Sequence, residues 1–104
     1  MGPDGHTASL FPHTGALKET QRWVVANYVP KLNAHRLTLT RPILNRAALV
    51  MFLIVGPDKA KPLAEVIEGP PDPERLPSQF IQPGPGRLLF LVDTDAARQL
   101  RRGK

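Results

Sequence analysis

A chain of 104 residues with 41% hydrophobic and 22% charged side chains has the composition of one globular domain, which excludes an intrinsically disordered chain. It contains no cysteine, so disulfides, thiolate metal sites and thiol nucleophiles are all excluded. A net charge of +5 favours anionic partners: phosphorylated metabolites, nucleic acid or acidic surfaces.

Residues 1–16 are rich in Gly, Pro, His and Thr and read as a loop, in which Asp4-Gly5-His6 stands out. Nothing there has the apolar core of a signal peptide. Within residues 21–28 the triplet Trp23-Val24-Val25 marks a strand that Pro30 stops. Residues 35–40 alternate, with Leu37 and Leu39 on one face and Thr38 and Thr40 on the other, the period of a second strand. Pro42 suits the first turn of a helix whose apolar stripe is Ile43, Leu44 and Ala47.

Residues 48–55 are continuously apolar and end at Gly56-Pro57, which predicts a strand buried on both faces, as in parallel sheets. Even the longest apolar run, 47–55, falls short of the roughly 20 residues of a membrane span, so a soluble, cytoplasmic protein is expected. Asp58 is placed to cap a helix through Leu63, Val66 and Ile67, with Pro62 disturbing its first turn and Gly69 ending it. Residues 68–86 read as a proline-rich linker with one helical turn near 77–80. Residues 87–92 form a further apolar strand, and Asp93-Thr94-Asp95 supplies cap chemistry for a closing helix over 95–101. The order β, α, β, α, loop, β, α predicts an α/β, Rossmann-like layered unit with a mostly parallel sheet.

Trp23 and the phenylalanines are expected to pack in the core rather than to stack on bases. Arg98, Arg101, Arg102 and Lys104 crowd the C-terminal end, where cations complement a helix dipole. The same cluster carries the rival reading of a basic anion-binding module, whose hold on nucleic acid would weaken steeply with salt.

His6 is the natural general base near neutral pH. Asp4, two residues away, can fix the imidazole tautomer or cap loop N–H groups, and Gly5 permits a backbone shape closed to other residues. Residues 7–10 would then open a helix whose free N–H groups face an anion. Taken alone, Asp-Gly-His also fits an ordinary turn beside a surface histidine. His13 and His35 read as surface residues, and no spacing of His, Asp and Glu fits a metal site.

In longer context, GPDGHTASLFP resembles the signature of the 6-phosphogluconolactonases, which form one larger group with the glucosamine-6-phosphate deaminases. PKLNAHRLTLTRPILNRA, LIVGPDKAKPL, PSQFIQP and RLLFLVDTDAA resemble further segments of that family, in order. The resemblance implies a cytoplasmic hydrolase of the pentose phosphate pathway. It would convert 6-phospho-D-glucono-1,5-lactone to 6-phosphogluconate without metal or organic cofactor. It implies His6 as the catalytic base, Asp4 as its orienting partner, and Lys31, Arg36 and Lys59 as binders of the substrate phosphate. The deaminases carry a glutamate where this chain has Phe11, and a phenyl ring cannot relay protons, which favours the lactonase over the aminosugar isomerase.

The resemblance places residues 1–104 as the C-terminal part of a larger domain, without the family's N-terminal Gly/Ser-rich phosphate loop. A truncated chain, a split enzyme and a degenerate relative are the alternatives, truncation being preferred. The expected partners are the phosphorylated lactone, a missing N-terminal half or a second copy of the chain. No membrane and no nucleic acid are expected.

Overall fold

The computed structural model describes residues 1–101, so Arg102 and Lys104 of the basic cluster lie outside the described residues. Among the described residues there are four strands: β1 (Val24–Val29), β2 (Ala34–Leu39), β3 (Leu49–Ile54) and β4 (Arg87–Val92). Two α-helices, α1 (Arg41–Leu44) and α2 (Ala60–Glu68), and four short 3-10 turns complete the regular structure.

The strands form two separate pairs. β1 and β2 are an antiparallel hairpin, with Asn27 opposite Arg36 and Ala26 opposite Leu37. Pro30–Leu32 turns the chain, and Asn33 takes the left-handed conformation that returns it (φ 47°). So short a link leaves no room for the crossover a parallel pair needs. β3 and β4 are parallel, with Phe52 opposite Phe90, and the α2 segment lies on the connection between them. The fold is therefore mixed α/β, with one parallel and one antiparallel pair in place of the mostly parallel sheet expected.

The core gathers on one side of β3. Phe52 and Ile54 pack with Leu63 of α2, Ile81 and Ala96, and the Phe52 and Phe90 rings stack at 5.0 Å. A second cluster, Leu10, Ala16 and Leu17, joins residues 10–17 to Val25 of β1, and Leu44 touches both clusters.

Local expectations give way where packing or capping differs. β3 is buried on one face only: Leu49, Met51 and Leu53 are exposed, Leu53 at 71%. On β2 and just beyond it the threonines face inward, Thr38 and Thr40 being buried while Leu37 is 78% exposed. Trp23 is exposed rather than packed, whereas Phe11 and Phe52 are buried as expected. Asp58 does not cap α2, because a 3-10 turn (Pro57–Lys59) precedes the helix and Lys59 occupies the cap position without a side-chain bond. Gly69 does end α2, its N–H reaching Glu65 O. The closing helix is replaced by successive turns, in which Asp93 Oδ1 accepts the Ala96 N–H at 2.8 Å. Residues 7–10 form a tight bridge rather than a helix, with Ala8 at φ 49°, so no helix N-terminus follows His6. Among the described residues no helix is long and apolar enough to cross a membrane.

Candidate active site

The loop carrying Asp4, Gly5 and His6 is wound tightly on itself. Gly2 N–H donates to His6 O and Gly5 N–H to Gly2 O, both at 2.9 Å. Gly5 sits at φ 82°, a region that favours glycine, and a Cβ there would lie 2.8 Å from Leu76 Cδ2. Its carbonyl accepts two hydrogen bonds from Ser78, from N–H at 2.9 Å and from Oγ at 2.8 Å. Gly5→Ala therefore combines positive-φ strain with a collision, which together cost about 1–3 kcal/mol. The variant should melt several degrees below the parent chain, and an unchanged melting temperature would show that Leu76 and Ser78 do not hold this turn.

Asn27 pins the far side of the loop to β1. Its Oδ1 accepts the Ala16 N–H, and its Nδ2 donates to Ser9 O and to Thr14 Oγ1. Thr38 Oγ1 on β2 accepts the Ser9 N–H at 3.1 Å. A buried amide with these partners satisfied fixes the loop against the hairpin at no desolvation penalty.

Within this frame His6 is half-buried, and its Nδ1 lies 2.5 Å from Asp4 Oδ1, which also accepts the His6 backbone N–H at 3.1 Å. The other Asp4 oxygen accepts from Lys31 Nζ. Burial would push the Asp4 carboxyl up, but the hydrogen bonds from Lys31 and His6 outweigh it and hold the pKa at about 2. Asp4 is therefore ionised and can only accept, so Nδ1 carries a proton, and in the neutral ring the lone pair lies on Nε2. Phe11 stacks on the imidazole with ring centroids 4.1 Å apart, and Lys31 Nζ lies 5.6 Å from the Phe11 centroid.

The lowered Asp4 pKa has a pH consequence. The ordinary value is 3.8, so ionised Asp4 stabilises the fold fully above about pH 5, and that contribution is lost as the pH falls through about 2. Denaturant midpoints measured across that window should decline, and Asp4→Asn should remove part of the decline. A variant whose decline matches the parent's would show that this pair does not couple folding to pH.

The other basic candidates sit apart from the pair. Arg36 is on the face of β2 shared with Thr38, one pleat along, the face on which the loop packs. Lys59 lies close enough to the Met1 ammonium to lower its pKa, after the larger effect of burial. Among the described residues neither Arg36 nor Lys59 bonds to Asp4 or His6. A recess of about 360 Å³ beside Asp4 is lined by Lys61 and Arg75 instead. A cleft of about 370 Å³ between α2 and β4 is lined mainly by apolar groups such as Ile67, Ile81 and Phe90, and His6 is not among its lining residues. Chemistry, not volume, therefore locates the site. Among the described residues no three His, Asp or Glu side chains converge as a metal site.

Residues 1–90 match the family described as glucosamine-6-phosphate isomerases/6-phosphogluconolactonase. The chain belongs to this isomerase/lactonase family. A 6-phosphogluconolactonase from Synechocystis sp. is 45% identical over 101 residues, covering 97% of this chain and 41% of its own length. The Homo sapiens 6-phosphogluconolactonase is 41% identical, covering 96% of this chain and 39% of its own. The solved 6-phosphogluconolactonase of Trypanosoma brucei superposes with a TM-score of 0.82 at 28% identity, over 96% of this chain and 40% of that one. The chain thus spans about two fifths of the length of the isomerase/lactonase relatives it matches. Sequence reasoning singled out Asp4, Gly5, His6 and Lys31, which the fold brings together, but it passed over Gly2, Asn27 and Ser78. Of these only Asn27 left a signal, as an amide inside an otherwise apolar strand.

Proposed function

We propose that this chain is the histidine-bearing part of a cytoplasmic 6-phosphogluconolactonase, acting on 6-phospho-D-glucono-1,5-lactone in the pentose phosphate pathway. The observation that carries the reading is the Asp4–His6 contact at 2.5 Å, which leaves Nε2 as the basic atom. His6 Nε2 removes a proton from water as that water attacks the lactone carbonyl. The tetrahedral intermediate collapses with cleavage of the ring C–O bond, and the imidazolium returns the proton to the departing ring oxygen. Asp4 holds the tautomer and stabilises the imidazolium. Lys31, Arg36 and Lys59 supply positive charge for the phosphate, and Lys31, bonded to Asp4, does so for the developing oxyanion. Water, base and cations suffice, so the reaction calls on no metal or organic cofactor.

Two observations support a requirement for further polypeptide. The chain spans about two fifths of its relatives, and β3 and the β1–β2 hairpin each present a bare apolar face. We propose that the rest of the family fold covers these faces, and that self-association substitutes for it in the isolated chain. The test is lactone hydrolysis by the chain alone and by the chain joined to the remaining N-terminal part of the cyanobacterial relative. Little or no activity alone and turnover when joined is the expected result. A joined protein that folds and does not hydrolyse the lactone overturns the assignment.

The aminosugar isomerase reading is not favoured, because Phe11 occupies the place of the relay acid and stacks on His6. The basic-module reading loses ground at Arg98, which is paired with Asp95.

A further inference from the structure

From the sequence Phe11 reads as a core-packing ring that cannot relay protons. The fold gives it another place. Its ring lies 4.1 Å from the imidazole of His6 with planes 22° apart, while its own exposure is 8%. So buried a ring has little freedom, and it covers one face of the imidazole. Asp4 holds the same imidazole at Nδ1. At the ring's edge stands Gly2, where any Cβ would overlap His6 Cε1 and Nδ1.

We propose that Phe11 is a positioning residue. It clamps the His6 ring in the single rotamer that keeps Nδ1 on Asp4 and holds Nε2 free, with Gly2 leaving room for the ring. One hydrogen bond at Nδ1 sets the tautomer but leaves the ring free to pivot about that bond. A flat neighbour on its face removes the pivot, which is how a supporting residue preorganises a proton-transfer group. Lys31 completes the enclosure, bonded to Asp4 and lying 5.6 Å from the Phe11 centroid. The significance for turnover rests on His6 being the base, but the clamp itself is read without any substrate.

The experiment is NMR of the His6 ring in the chain, its Phe11→Leu and Phe11→Tyr variants and Asp4→Asn. In the parent, the His6 ring protons should be shifted upfield by the Phe11 ring current, with one χ1 rotamer and the Nδ1–H tautomer. Phe11→Leu should lose the upfield shift and average over rotamers, and Phe11→Tyr should restore both. Asp4→Asn should weaken the bond at Nδ1, seen as a shift of the Nδ1 signal, and keep the ring-current shift, separating the two constraints. Rotamer averaging in the parent chain overturns the clamp whether or not any variant folds. So does a folded Phe11→Leu with an unaltered His6 rotamer. Failure of lactone hydrolysis in the joined protein would remove the catalytic reading and leave these spectra untouched, so the two failures are distinguishable.

Discussion

Replacing His6 by alanine in the chain joined to its family complement is expected to lower kcat about 10²- to 10⁴-fold, the usual worth of a positioned general base. KM should change little, because the proposed phosphate binders Lys31, Arg36 and Lys59 are left in place. The physical ground is the atom left free: Nδ1 is occupied by Asp4 at 2.5 Å, so deleting the imidazole deletes the basic lone pair at Nε2. Asp4→Asn should lose rate by a different route. The amide oxygen that replaces Oδ1 still accepts from His6, but without the negative charge the imidazolium formed in the reaction loses its counter-ion. The folded structure should survive both changes, since His6 and Asp4 are only partly buried. Steady-state kinetics with the lactone decides the matter: turnover within a few-fold of the parent in His6→Ala would take His6 out of the mechanism.

The second large effect concerns association. The isolated chain is expected to self-associate through the bare faces of its two strand pairs. On β3–β4 these include Leu49, Met51, Leu53 and Leu91, and on the hairpin Val24, Leu37 and Leu39. Contiguous apolar groups of this kind are what water drives together. Burying one leucine is worth about 1.5–3 kcal/mol, so Leu53→Lys should weaken association by tenfold or more. Stability should stay near that of the parent, since Leu53 is 71% exposed. The neighbouring Phe52 points the other way into the core at 5% exposure, and Phe52→Ala should cost about 3–5 kcal/mol and unfold much of the chain. Sedimentation velocity reads the first variant and thermal melting the second. A parent chain that sediments as a monomer at high concentration would rule out these faces as sticky.

The contrast between Leu53 and Phe52 also shows where sequence reading stops. The run 48–55 was legible as a strand, because a short, continuous apolar run ended by Gly56-Pro57 suits a buried pleated surface. Nothing in the run distinguishes a strand covered on both faces from one covered on a single face. That depends on which other elements arrive, and here α2 and the segment around Ile81 and Ala96 cover one side only. The hairpin teaches the same lesson with opposite polarity. The alternation in 35–40 was plain, yet the threonines turned inward, because Ser9 and the Arg22 carbonyl offered partners to Thr38 and Thr40.

By itself the sequence determined the local matters: the positions of the four strands, the end of α2 at Gly69, the Asp-Gly-His turn, and a family signature that singles out His6. Each depends on a few neighbouring residues, so each is written in a short window. The tertiary structure alone decided the pairing of the strands, the face each one buries, and the company kept by His6. Phe11 on its face, Lys31 on its carboxylate, and Asn27 and Ser78 holding its loop come from separate stretches of chain. No local pattern encodes such meetings, because their free energy exists only once packing has brought the distant segments into contact.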